Sequence, residues 1–203
     1  MKYARSSCMY SAVFFFLLLA WVPHAWCSDL EEAHEAYRSG NWHEAAELYR
    51  PLAEQGCDEA QNNLGELYSR GSGVKQDYDR AMEFFYLAAE QGNAYAQTNL
   101  GLHYSQGLGV RQNFARAHKW FEKGARQDNF VAQNALGLFY LHGRNLEKDY
   151  VLAYKWFYLS AQKGFDQAQE NKRWTASRLS QEDLDKARKL AREFEPGFES
   201  GDN

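Results

Sequence analysis

The chain has 203 residues, with 23 Lys and Arg against 27 Asp and Glu, a formal net charge of −4. That balance argues against a general nucleic-acid binder, which needs a basic face to replace counterions. Aromatic residues make up 16% of the chain and only three prolines occur, so there is ample core material and little to break a helix.

Residues 1–27 differ from the rest. Lys2 and Arg5 give a basic start, Ala12 to Val22 is an unbroken apolar run, and Ala25-Trp26-Cys27 puts small residues at −3 and −1 before Ser28. This is the three-part layout of a secretory signal peptide cut after Cys27. Two alternatives stay open. One is an uncleaved anchor, although the apolar run is shorter than the roughly 20 residues a spanning helix needs. The other is a lipoprotein acylated on Cys27, although Trp26 is bulky for that processing site. Removing 1–27 leaves 21 basic and 27 acidic residues, a net of −6, and Cys57 as the remaining cysteine. The expectation is therefore a mature fold without an internal disulfide. Cys57 reads as a small, partly buried residue in a helix–helix turn, with a reactive thiol or a bond between chains as alternatives.

Residues 28–57 carry Ala36-Tyr37-x-x-Gly40-Asn41-Trp42-x-x-Ala45, two short helices in which Pro51 is expected to interrupt and kink the second. A repeat follows. Ala60-Gln61-Asn62-Asn63-Leu64-Gly65 recurs as Ala96-Gln97-Thr98-Asn99-Leu100-Gly101 and as Ala132-Gln133-Asn134-Ala135-Leu136-Gly137, each step 36 residues. Residues 60–95 and 96–131 share 17 identities. The units are 58–93, 94–129 and 130–165, each read as two helices. Helix A buries Ala60, Leu64, Leu67 and Tyr68 at one-face spacing. Gly65 lies inside that stripe and costs roughly 1 kcal/mol against Ala in a helix, so its recurrence predicts close helix–helix approach. Gly71 and Gly73 allow a tight loop; Asp77, Asn113 and Asp149 stand where an N-cap belongs. Helix B carries Ala81, Phe84, Phe85, Ala88 and Ala89, and Gly92 and Gly164 mark its end, with Asp128 the exception. Residues 166–195 diverge into a capping repeat, with Ser180 and Asp183 as a capping box and its last helix expected to be stopped by Pro196-Gly197, where a loose tail at 196–203 begins.

These residues resemble the Sel-one-like repeat family, relatives of the tetratricopeptide repeat, over about residues 31–194. The family pattern is met almost residue for residue over 60–92. Asn145 departs from it in place of the second loop glycine, and residues 31–56 lack the loop insertion. The resemblance implies an all-α, right-handed α/α superhelical solenoid of helix-turn-helix repeats, and a concave groove lined by the A helices. The groove residues would be Glu59, Asn62, Glu66 and Arg70, then Tyr95, Thr98, Leu102 and Gln106, then Val131, Asn134, Leu138, Leu141 and His142. The lining would pass from polar to apolar, which suits a peptide or a partner helix. A C-terminal cap folded over Leu138 and Leu141 is the competing expectation.

Chemistry is thin. Ser72-Gly-Val-Lys75 fits the S-x-x-K pattern of β-lactam-recognising enzymes, but the same loop reads Leu108-Gly-Val-Arg111 one repeat on. His43-Glu44-x-x-Glu47 starts like a zincin helix but lacks the second His. His34, His103, His118 and His142 show no ligand spacing, and Phe84, Trp120 and Trp156 read as core. No catalytic residue, metal or cofactor is expected. The reading is a monomeric, exported, non-catalytic adaptor in the periplasm or outside the cell, binding a protein or peptide without nucleic acid or stable membrane insertion. A β-lactam-recognising enzyme using Ser72 and Lys75 and a cell-wall glycan binder are the alternatives.

Overall fold

The computed structural model describes residues 23–144 and 146–194, with side chains from Asp29 onward. The apolar run at 12–22, the left-handed expectation at Asn145 and the tail at 196–203 lie outside the described residues. Within them are ten helices: α1 Pro23–Arg38, α2 Trp42–Glu54, α3 Asp58–Arg70, α4 Tyr78–Glu90, α5 Ala94–Gln106, α6 Phe114–Arg126, α7 Phe130–His142, α8 Tyr150–Gln162, α9 Asp166–Ala176 and α10 Gln181–Arg192. None is long and apolar enough to cross a membrane. This is the all-α helical-repeat class that the 36-residue period predicts.

The chain divides into two compact units: residues 1–96 with 108–110, and residues 97–107 with 111–203. In the first, α1 packs on α2, α2 on α3 and α3 on α4. In the second, α6 packs on α7, α7 on α8, and α8 on both α9 and α10. Each core is made of the small and aromatic residues that recur in the sequence. Ala60, Leu64, Ala81 and Phe85 are buried in the first unit; Ala117, Phe121, Ala132, Leu136, Ala153 and Phe157 are buried in the second.

The recurring glycine inside helix A has a concrete cause. A Cβ on Gly65 would meet the Phe85 ring at 2.8 Å, one on Gly101 the Phe121 ring at 2.6 Å, and one on Gly137 the Phe157 ring at 2.4 Å. Helix A thus gives up a side chain so that the aromatic of helix B can lie against its backbone. The loop between the two helices is equally determined. Gly71 ends α3 in the left-handed conformation at φ 71°. The N–H of Asp77 then donates to the Tyr68 carbonyl at 3.0 Å, as Asn113 does to Tyr104 at 2.8 Å and Asp149 to Tyr140 at 3.0 Å. Each of these three side chains caps its helix, accepting from the N–H of Arg80, Arg116 and Leu152 respectively. Gln76 and Gln112 donate to the Ser69 and Ser105 carbonyls at 2.9 and 2.8 Å. Arg80 and Arg116 donate to the Tyr68 and Tyr104 hydroxyls at 2.9 and 3.2 Å. A large part of the repeated sequence therefore encodes one loop.

Three expectations need correction. Pro51 does not end α2, which runs on to Glu54. Helix α10 stops at Arg192, before Pro196 is reached. Phe84 and Trp120 are only half-buried, whereas Trp156 is core. The fully buried ring of each repeat is one position later, at Phe85, Phe121 and Phe157.

Candidate partner-binding face

The A helices are α1, α3, α5, α7 and α9. In the first unit their polar side chains are largely committed to one another. Tyr37 donates to Glu66 at 3.1 Å, and Arg70 reaches Glu66 at 2.9 Å and the Tyr37 hydroxyl at 3.3 Å. Desolvation, with the Glu66 carboxylate alongside, pushes the Tyr37 phenol above its ordinary value, so it stays protonated as the donor. Glu59 lies 3.3 Å from His34 Nε2, and Asn63 lies 3.3 Å from the same nitrogen. At the start of α5, Tyr95 is 60% exposed, the largest exposure among the exposed large hydrophobic residues described.

In the second unit apolar side chains join the A-helix face. Leu102 on α5 and Val131, Leu138 and Leu141 on α7 are partly exposed, and Gln106 and His142 are exposed. Asn62, Thr98 and Asn134, expected to line the groove, are instead buried. Asn134 accepts from Asn171 of α9 at 3.1 Å, which explains its burial: it joins neighbouring A helices instead of facing a partner.

One residue escaped the sequence reading. Trp174 on α9 is 46% exposed and stands one repeat period beyond Leu138, which itself stands one period beyond Leu102. Its ring is 6.3 Å from Tyr150, with the Arg178 guanidinium 4.9 Å from its centroid. Counting 36 residues on from Leu138 would have found it, but the loss of the Leu-Gly pair to Lys172 and Arg173 hid the register. Leu102, Leu138 and Trp174 thus share one repeat position in one unit.

The other sequence candidates have local roles. Ser72 follows the left-handed cap of α3 and donates its N–H to the Leu67 carbonyl at 3.1 Å, while Lys75 is exposed. His43 Nδ1 lies 3.2 Å from the Gly73 carbonyl; Glu44 accepts from Asn41 at 3.2 Å and Glu47 from Arg50 at 2.9 Å. His103 is buried on α5. His118 on α6 packs on Phe139 and Tyr140, and its Nε2 is buried without a hydrogen-bond partner. Desolvation holds its pKa below the ordinary histidine value, against a smaller opposing pull from Glu122.

The recurring Gln of helix A is a joint. Gln61 donates to the Ala53 carbonyl at 3.0 Å and accepts from Gln91 at 2.8 Å. Gln127 likewise donates to Gln97 at 2.8 Å. At the next step Lys163 replaces the donor and pairs with Asp128, leaving Gln133 Oε1 buried and unpartnered. Asp128 holds φ 64° where other repeats use glycine, and its carboxylate accepts from Gln133 Nε2 at 3.0 Å.

Cys57 corrects the expectation of a fold without an internal disulfide: it is buried and disulfide-bonded. It occupies the N-cap position of α3 with no side-chain cap bond, where Asn93 and Asn129 cap α5 and α7 through Ala96 N–H and Ala132 N–H.

Comparison with protein families matches the Sel1 repeat over residues 58–93, 94–129 and 131–165, more than half of the chain. The chain is similar to a Sel1 repeat protein from Oxalobacter formigenes at 32% identity and TM-score 0.67, covering 71% of this chain and 57% of that one. It is also similar to a protective antigen of uropathogenic Escherichia coli strains that displays an SLR fold, at 26% identity and TM-score 0.57, covering 82% of this chain and 46% of the other. The chain therefore spans about half the length of these two structures. Comparison with curated proteins gives no match.

Proposed function

The chain belongs to the Sel1 repeat family, and from that premise we propose an exported, non-catalytic adaptor that binds a protein or peptide through the A-helix face of its second unit. The family is one of helical-repeat scaffolds that mediate protein interaction. The observation that carries the finer reading is the run of Leu102, Leu138 and Trp174 at one repeat position, each at least partly exposed. Holding apolar side chains in water costs about 25 cal/mol per Å², and a partner surface recovers that. A recognised segment would lay its apolar side chains on this position and its polar ones beside Gln106 and His142, as amphipathic helices do in grooves. The basic start, apolar run and small residues before Ser28 support export.

Immobilised protein exposed to a bacterial envelope extract tests this reading. Wild type is expected to enrich a specific protein that Leu102→Asp and Leu138→Asp lose while remaining folded by circular dichroism. Equal capture by both variants refutes the proposed face. Retention of peptidoglycan in place of protein would favour the glycan reading.

A further inference from the structure

We propose that helix α4 of the first unit carries a second binding site, for an extended protein segment of the pattern basic–x–apolar–x–basic, separate from the A-helix face of the second unit. The site is a cavity of about 560 Å³ at α4 and the start of α3. Helix α4 buries Ala81, Met82, Phe85, Ala88 and Ala89. Its Glu83, Tyr86, Leu87 and Glu90 stand at i, i+3, i+4 and i+7, one stripe of the helix, and all four line the cavity. Leu87 is 47% exposed, an apolar side chain that the unit itself leaves uncovered. Gly56 of the α2–α3 turn also lines the cavity, and a Cβ there would have nothing within 4 Å, so that side is open. The joined Gln61 and Gln91 amides complete the lining. Ligand pockets run from roughly 300 to 1,000 Å³, so the space suits one large side chain and its neighbours.

Charge selects the occupant. Glu83 and Glu90 are exposed and make no side-chain hydrogen bond or ion pair among the described residues. Other carboxylates of the unit are engaged: Glu31 and Glu35 by Arg38, Glu47 by Arg50 and Glu66 by Arg70. The repeat does not require acids at these two positions, since the next one has Lys119 and Arg126 there and the third has Lys155 and Gln162. Residues 28–96 hold fourteen acidic and five basic residues, against thirteen and sixteen in residues 97–203. The field of the first unit therefore draws cations toward it. Spacing fixes the pattern. Glu83 and Glu90 are about 10.5 Å apart along the helix axis. In an extended chain i, i+2 and i+4 share a face and i to i+4 spans about 13 Å, a difference that flexible lysine and glutamate side chains absorb. Two basic residues four apart thus reach the two carboxylates while the residue midway between them lies on Leu87 and Tyr86. An apolar side chain is favoured at that midpoint because it covers Leu87.

Fluorescence anisotropy of a labelled peptide, GKSFSKG, titrated with the purified protein at low ionic strength tests the proposal. Saturable binding that weakens as salt is added is expected. Glu83→Gln combined with Glu90→Gln should weaken it about tenfold, and Leu87→Ser by a similar factor, both variants staying folded by circular dichroism because all three side chains are exposed. The peptide with Ser in place of Phe should bind wild type about tenfold more weakly. Glu31→Gln combined with Glu35→Gln removes the same charge from α1 and should leave binding unchanged, as should Leu138→Asp on the other proposed face. Absence of saturable binding overturns the proposal. So does an equal loss from the α1 variant, which would leave only the overall charge of the unit. Equal binding of the Phe-free peptide, or displacement by equimolar spermidine, overturns it in favour of a polyamine site. A dimer of the protein alone that Glu83→Gln with Glu90→Gln dissociates would place a second copy there and overturn it as well.

Discussion

Replacing Gly137 by Ala sets two effects of opposite sign against each other at one atom. In an exposed helix the change stabilises by about 1 kcal/mol, because alanine loses less backbone freedom than glycine. Here the added Cβ would lie 2.4 Å from Phe157 Cε1 and 2.5 Å from Cδ1. Ring carbons rest about 3.5–4 Å from such an atom, so more than 1 Å of movement is required. Phe157 is 0% exposed, between α7 and α8, and has no solvent to retreat into. Overpacking of this kind costs about 1–3 kcal/mol, and part of that cost has to cancel the propensity gain before any loss appears. The expected net is a loss of up to about 2 kcal/mol for Gly137→Ala. It should be smaller for Gly101→Ala, where the approach is 2.6 Å, and smallest for Gly65→Ala at 2.8 Å. Thermal unfolding followed by circular dichroism reads each kcal/mol as about 2–4 °C in a chain of this size. Phe157→Leu in the Gly137→Ala background removes the ring atoms in conflict and should return part of the loss, a coupling of at least about 0.5 kcal/mol. If all three alanine variants melt higher than wild type, the glycine is not there for the aromatic ring and the account of the repeat is wrong.

Three other outcomes follow from the same geometry. Asn113→Ala and Asp149→Ala each remove a helix cap and should lower stability by about 1 kcal/mol in urea unfolding, with Ser at either position restoring most of it. Stability of the second unit should fall as pH drops below 6.5 and continue falling through the depressed folded-state pKa of His118, because the unfolded state binds the proton more readily. His118→Phe should flatten that part of the melting-temperature profile, and an unchanged profile would clear His118 of the effect. Lys163→Gln offers Gln133 Oε1 the amide donor that Gln61 and Gln97 receive. It should stabilise by about 1 kcal/mol, less whatever the half-exposed Asp128 pair contributes, and a lower melting temperature would show that pair to be the stronger.

The period of 36 made the fold legible because each recurring residue has one physical job. The capping Asp and Asn, the left-handed Gly71 and the glycine inside helix A could all be assigned before any coordinates, since cap, turn and close approach each demand few residue types. The Gln61–Gln91 joint was not legible: a glutamine in a helix has many possible partners, and the donor to Gln61 is thirty residues away. Burial of Asn62, Thr98 and Asn134 was missed for a related reason, since polar residues beside a packing stripe read as groove until a hydrogen bond such as Asn171 to Asn134 draws them in. Trp174 was hidden by loss of the motif around it, though not by loss of the period. The disulfide at Cys57 was not legible either: it was weighed for the chain without residues 1–27, where the other two cysteines of the sequence, Cys8 and Cys27, lie.

Site-specific photo-crosslinking in intact cells tests the central claim most directly. A photoreactive aromatic residue is placed singly at Leu138 and Trp174 on A helices of the second unit, and at Lys119 and Leu152 on its B helices. The account predicts a discrete crosslink to another protein from positions 138 and 174, with little from 119 and 152. Crosslinks confined to the B-helix positions, or none above background at 138 and 174, would contradict it.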